Sequence, residues 1–358
     1  MSSRLKVLSG MLPEYADGAL IFSNTNRRYF TEFVSSLGYL LVTKSESYLF
    51  VDSRYSEAAQ KQAKNCKVVA YKVLSEEMAD IISQNGLKNI MLESSAITLS
   101  ECEHIEKIFA KANASALKNN ELDRIINTMR VIKTSDEIEK MHRAQLITEH
   151  ALTETLKLIK EGVTEKDLAL ELEFRMKRLG AEEVSFDLIV LAGKKTSMPH
   201  GVPGFNRVKK GDFILFDIGA TYDGYHSDMT RTYAFGNIGA EQKRVYATVK
   251  QAQENALAVL KDGVECGYVD SAARTYINHA GYEGYFGHST GHGVGLDIHE
   301  VPSVSPKSDF VLRNGMVVTA EPGIYLPDRF GVRIEDMVVI TSSGYMNFAS
   351  MPKELIVI

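Results

Sequence analysis

No stretch of this chain approaches the roughly 18–20 consecutive apolar residues that a membrane-spanning helix needs, so a membrane partner is not expected. A basic excess is missing as well. The 41 Lys and Arg are outnumbered by 46 Asp and Glu, for a formal net charge of −5, whereas nucleic-acid binding is built on clustered positive charge. The pairs Lys194-Lys195 and Lys209-Lys210 are short and read as solvated loop charge. Cysteine is scarce. Cys66, Cys102 and Cys266 are scattered and odd in number, which leaves neither a disulfide framework nor a Cys-x-x-Cys site. Reduced thiols are the plain reading, and none lies beside the cationic partner that would activate a thiolate. The first residues, Met1-Ser2-Ser3-Arg4-Leu5-Lys6, lead into mixed sequence without a signal-peptide apolar core. A cytoplasmic location is the expectation.

What is present is concentrated. Phe286 to Glu300 carries His288, His292 and His299 together with four glycines, a third of the chain's nine histidines in fifteen residues. Glycine admits close approach of backbone or ligand. Histidine is both a common metal ligand and a group that titrates near neutrality. For any one of these residues alone, a structural or surface role is the better bet; the density is what singles the segment out.

At 358 residues, 44% of them hydrophobic, the chain is too long for one ordinary core and reads as two globular domains. The first third alternates short apolar runs (Ala19–Phe22, Tyr39–Val42, Tyr48–Val51, Ile90–Leu92) with helical stretches at Ser56–Asn65, Ser75–Gln84 and Ser100–Ala112. This is an α/β domain without a reactive constellation. Asp52-Ser53-Arg54-Tyr55 after a strand reads as a turn and helix cap. We place the division at residues 1–125 and 126–358. Beyond it, Thr134-Ser-Asp-Glu137 fits a capping box for a helix running to about Lys160, and Thr164-Glu-Lys-Asp167 opens the next, ending at Gly180. Lys160-Glu-Gly162-Val163 recurs as Lys261-Asp-Gly263-Val264, and Gly180 recurs at the same offset as Gly281. The second domain is therefore expected to be a duplicated helix–helix–strand unit with a cleft between its halves.

Four acidic residues complete a site. Asp217 interrupts an apolar run, and Asp228 follows eleven residues later across an Asp223-Gly224 pair. Such a pair is a strong hairpin signal, which would bring the two carboxylates side by side and call for a compensating cation. Met316-Val-Val-Thr-Ala-Glu321-Pro-Gly and Gly331-Val-Arg333-Ile-Glu335 each plant another carboxylate on an apolar strand, where it is costly unless paired or metal-bound. An Arg333–Glu335 pair on one strand face is the rival structural reading. Oxygen-rich ligation with an imidazole suits two harder divalent ions. Mn²⁺ is the first choice, with Co²⁺, Zn²⁺ or Fe²⁺ as alternatives, sharing a water that becomes the nucleophile. His200 in Ser197-Met-Pro-His200-Gly and the remaining histidines are then left for substrate or protons.

With Asp217 and Asp228 on a hairpin, His292 in His-x-x-Gly-His-Gly, Glu321-Pro-Gly and Arg333-x-Glu335, the chain resembles the pita-bread metallopeptidases. The nearest resemblance is to the Xaa-Pro branch, prolidases and aminopeptidases P. The resemblance implies an α/β (α+β) two-domain fold: a small creatinase/prolidase-like domain, then a pita-bread domain of pseudo-twofold ααβ halves. It implies metal ligation by Asp217, Asp228, His292, Glu321 and Glu335, with Asp228 and Glu335 bridging and Glu321 also serving as general base. It further implies an oxyanion-stabilising His200, substrate-pocket His288 and His299, and a supporting or substrate-contacting Arg333. A homodimer and a proline-containing peptide substrate follow in the same way. The intact ligand set distinguishes the chain from non-catalytic relatives such as creatinase. The rivals are an aminopeptidase P acting on longer Xaa-Pro-Yaa peptides and a non-catalytic binding module on the same fold.

Overall fold

The structure, a computed structural model, describes residues 3–358. It divides into two compact units, Met1–Met129 and Arg130–Ile358. The division falls inside the helix Glu121–Val131. In the first unit, a six-stranded sheet runs in the order Lys67–Ala70, Ser47–Val51, Tyr39–Thr43, Gly18–Ile21, Asn89–Leu92, Ser115–Leu117. Tyr39–Thr43 is antiparallel to both neighbours, and the remaining pairs are parallel. The helices Leu74–Gln84 and Leu99–Lys111 lay Met78, Ile82, Ile105 and Phe109 on Leu20, Phe50 and Ile90. Asp52 makes the expected turn but caps no helix. Its carboxylate holds Arg54, and Tyr55 stands at the N-cap without a side-chain capping bond.

The second unit is built twice. The helix Ser135–Leu156 starts on the Thr134–Glu137 capping box, as expected, and stops four residues short of Lys160. Glu165–Arg178 follows from a second box at Thr164–Asp167. Ala240–Val259 and Cys266–Ile277 are their counterparts. The turn glycines Gly162 and Gly263 both have positive φ, 88° and 85°. The backbone around them bonds in the same way: Gly162 N to Val208 O and Gly263 N to Leu312 O, each at 2.9 Å. Each half then forms an antiparallel sheet. One joins Ile189–Ala192, Asp212–Ile218 and Met229–Phe235; the other contains Gly291–Gly293, Val317–Ala320 and Asp336–Ile340. Each helix pair covers its own sheet. Leu168 and Leu172 pack on Val190 and Phe216, while Val249 and Val269 pack with Val318 and Val338. Among the described residues, no helix is long and apolar enough to cross a membrane.

Candidate metal centre

The duplication puts the acidic residues in register. Asp217 bonds opposite Ile189 in the first sheet, and Glu321 donates its N–H to Thr290 O at 2.8 Å in the second, so the two occupy equivalent places. Asp228 and Glu335 each directly precede the third strand of their sheet, Met229–Phe235 and Asp336–Ile340. Only Asp217 lies within a strand. Asp228, Glu321 and Glu335 stand where ladders end, which for Glu321 and Glu335 corrects the expectation that each is planted on an apolar strand. The Asp223-Gly224 turn forms with positive φ at both residues, 46° and 77°, the conformation of a type I′ hairpin. It closes a small hairpin, Ala220–Tyr222 with Tyr225–His226. The longer ladder behind it pairs Asp217 with Thr230.

His292 sits at a bulge. Its strand pairs Gly291 with Val304 and His292 with Ser303, and then slips register before Gly293. Bulges of this kind re-aim a side chain. The glycine density of this segment is a matter of close approach. A Cβ at Gly291 would lie 2.0 Å from Thr319 O, and one at Gly293 would lie 2.3 Å from Val301 O.

Asp217, Asp228, His200, His288, His292, His299, Glu321, Arg333 and Glu335 all line one cleft of about 530 Å³. Asp228, His292 and Glu335 bring ligand atoms within 4.8 Å of one another. His292 Nε2 lies 3.5 Å from Asp228 Oδ2 and 3.4 Å from Glu321 Oε1. Asp228 is 4% exposed, and its Oδ1 has no hydrogen-bond partner. Leaving such an atom bare is expensive. Asp217 and Glu321 stand beside this trio, close enough to act on its protonation.

The electrostatics are those of a site built around a cation. Burial raises the Asp228 carboxyl to about 6, against the pull of His292 and with a further push from Asp217. Burial likewise takes Glu321 to about 7, and His292 and Arg333 offset only part of the rise. Burial and the neighbouring carboxylates Asp228, Glu321 and Asp217 raise Glu335 further still. Burial alone would lower His292, but Asp228 and Glu321 outweigh it and hold the imidazole at about 9. Carboxylates plus one imidazole nitrogen is the donor chemistry that a divalent ion of the harder type takes.

Arg333 does not pair with Glu335. Its Nη2 meets Asp217, its Nη1 donates to Tyr325 Oη at 2.7 Å and its Nε to Thr230 Oγ1 at 3.0 Å. Glu335 instead accepts from Thr230 Oγ1 at 2.6 Å. The next residue, Asp336, turns to the opposite side and binds Arg231 and Lys353 at 2.7 and 2.8 Å. Tyr325 is the residue that sequence reasoning missed, because a tyrosine in Gly-Ile-Tyr-Leu reads as core. Its hydroxyl accepts from Arg333 and donates to His288 Nε2 at 2.9 Å, while His288 Nδ1 faces Ser289 O at 2.8 Å. Burial and the Arg333 charge lower the His288 imidazole to about 4, so it is neutral with both nitrogens engaged. His200 and His299 are exposed at the cleft.

A model of metallopeptidase family M24 matches residues 139–342, and one of the creatinase/prolidase N-terminal domain matches residues 4–132. The chain belongs to metallopeptidase family M24. It is similar to the Xaa-Pro dipeptidase of Pyrococcus horikoshii, with 38% identity covering 98% of this chain and 97% of that protein. Among solved structures, it is similar to an Xaa-Pro dipeptidase from Bacillus anthracis, at a TM-score of 0.93 and 37% identity with 99% and 98% of the two chains covered. An X-Pro aminopeptidase from Thermotoga maritima has a TM-score of 0.89 and 36% identity, covering 96% and 98%. The two-domain M24 architecture is thus that of a peptidase, and the family implies divalent metal. Within this M24 site, Tyr325→Phe removes the hydroxyl that joins Arg333 to His288. Activity is expected to fall about 10- to 100-fold, the usual cost of losing a supporting partner. A wild-type kcat/KM in that variant would remove Tyr325 from the site.

Proposed function

We propose that this chain is a two-metal exopeptidase that releases the N-terminal residue from Xaa-Pro peptides, dipeptides foremost. The observation that carries the reading is the convergence of four carboxylates and His292 in one cleft around the unpartnered Asp228 Oδ1, in a chain so similar to Xaa-Pro dipeptidases. Asp217, Asp228, His292, Glu321 and Glu335 would hold the ions, with Mn²⁺ the first choice and Co²⁺, Zn²⁺ or Fe²⁺ the alternatives. When bound, the ions supply an activated water and polarise the scissile carbonyl. The protein's own part is proton handling and orientation. Glu321 takes the proton of the attacking water and passes it to the leaving proline nitrogen. His200, exposed at the mouth, donates to the oxygen on which charge develops. Arg333 fixes Asp217, and His299 meets substrate. His288, with both nitrogens engaged, shapes the wall. We read the enzyme as a cytoplasmic homodimer, which sedimentation of the native protein tests. Chelation should abolish hydrolysis, with recovery on adding Mn²⁺ or Co²⁺; full activity in metal-free protein would overturn the mechanism.

One observation favours the second reading, an aminopeptidase acting on Xaa-Pro-Yaa. Among the described residues lining the cleft, Arg333 alone is an arginine or lysine, and its guanidinium is already taken by Asp217, Tyr325 and Thr230. Histidine is then the only other side chain in that lining able to carry positive charge toward the free carboxylate of a dipeptide. Comparing Ala-Pro, Ala-Pro-amide and Ala-Pro-Ala decides between them. A dipeptidase is expected to prefer the free acid by about tenfold or more in kcat/KM, roughly 1.4 kcal/mol of carboxylate recognition. Equal or better hydrolysis of the amide and tripeptide would establish the second reading.

A further inference from the structure

The segment from Gly193 to Asn206, which carries His200, has little regular structure beyond the 3-10 turn Gly193–Ser197. It is tied to a single buried carboxylate. Glu165, the first residue of the helix Glu165–Arg178, is 0% exposed. A glutamate in a first helical turn ordinarily faces water, where the helix dipole already favours it. This one turns inward and accepts four bonds. Its Oε1 takes Ala192 N at 2.9 Å and Asn206 Nδ2 at 3.0 Å; its Oε2 takes Lys195 Nζ at 2.8 Å and Gly204 N at 3.0 Å. Both ends of the segment and two points inside it therefore converge on one side chain. The Lys195 ammonium also reaches Val202 O, two residues beyond His200.

The duplicated half offers a comparison. There the same backbone frame recurs: Cys266 N to Phe310 O and Gly267 N to Ser308 O, both 2.9 Å, match Glu165 N to Asn206 O and Lys166 N to Gly204 O at 3.1 and 2.9 Å. The residue equivalent to Glu165 is Cys266, which brings no carboxylate. The carboxylate that braces the matching segment of that half comes from within it: Glu300 accepts from Asp297 N at 3.1 Å and from Lys133 Nζ at 3.0 Å, and the segment presents His299 to the cleft. In the first half the bracing carboxylate comes instead from the neighbouring helix, and its four donors flank and lie within the segment that presents His200 to the cleft. A buried charge costs free energy unless its hydrogen bonds are complete, so its use here fixes a geometry.

We propose that Glu165 is a positioning residue for His200, acting through the loop and touching neither substrate nor metal. The inference rests on the reading of His200 as the oxyanion donor, and a double-mutant cycle separates the two. In the full chain loaded with Mn²⁺ and assayed on Ala-Pro, H200A is expected to lower kcat by about 10²- to 10³-fold. E165Q should lower it by about 10- to 100-fold, with metal content unchanged. In the H200A background, E165Q is expected to change kcat by less than about twofold, because the group it positions is gone. Lys195→Met, on a half-exposed side chain, should give the same non-additive pattern at smaller size, and it keeps the test available if E165Q does not fold. Multiplicative losses in the double mutants would overturn the link while leaving His200 in its role. Wild-type turnover in E165Q and Lys195→Met would overturn the link too. Wild-type turnover in H200A would overturn the oxyanion role and the proposal with it.

Discussion

Asp228→Asn is expected to lower kcat far beyond the roughly 10- to 100-fold that follows loss of a supporting partner around a metal, with the fold intact. The amide is nearly the same size as the carboxylate and keeps its place before the strand Met229–Phe235. What it loses is the charge and one of the two carboxylate oxygens, on a side chain whose Oδ1 has no partner in the protein. His292→Ala should behave likewise, since His292 Nε2 faces both Asp228 and Glu321 at about one ligand's reach. The stability signature should run the other way. Burial already disfavours the ionised Asp228 carboxylate, so metal-free Asp228→Asn should melt no lower than metal-free wild type. The rise in Tm on adding Mn²⁺, worth about 2.7 kcal/mol when the ion is present at a hundred times its Kd, should be lost. Calorimetry with and without Mn²⁺, beside a turnover assay, checks both halves. Near-wild-type kcat, or an unchanged metal-induced rise, would remove Asp228 from the ligand set.

The site was legible in the sequence where a residue violates its local pattern. Asp217 stands out because its strand is otherwise apolar, and the Asp223-Gly224 turn announces the hairpin that follows. The duplication was legible because Gly162-Val163 and Gly263-Val264 make identical turns that demand positive φ. What stayed hidden obeys local rules while serving distant partners. Tyr325 fits an apolar strand, and only the three-dimensional packing shows its hydroxyl between Arg333 and His288. Glu165 fits the first turn of a helix, and only the fold turns it inward. Arg333 and Glu335 suggested a pair from their spacing of two, but the strand Phe330–Arg333 ends between them and each takes a different partner. In the first unit, the edge strands Lys67–Ala70 and Ser115–Leu117 are not evident in the sequence because runs of four and three residues are too short to show a period.

Metal loading is expected to release protons and to stabilise the protein more as pH rises. Asp228 and Glu321 stand at about 6 and 7 against ordinary values of 3.8 and 4.5. In the metal-free fold their ionised forms are therefore penalised, and stability is lost as pH climbs from about 4 through 7. His292 is raised from 6.5 to about 9. Its contribution is complete below 6.5 and disappears as pH rises through 9. Both trends point the same way, so metal-free protein should be weaker at pH 8.5 than at pH 6. A bound cation reverses the preference, because it requires deprotonated ligands. The Tm gap between loaded and metal-free protein should therefore widen from pH 6 to pH 8.5. Titration calorimetry at pH 7 in buffers of different ionisation enthalpy should report on the order of two protons released on loading. A gap that narrows with pH, or loading that releases no protons, would mean that these carboxylates and His292 do not hold the metal.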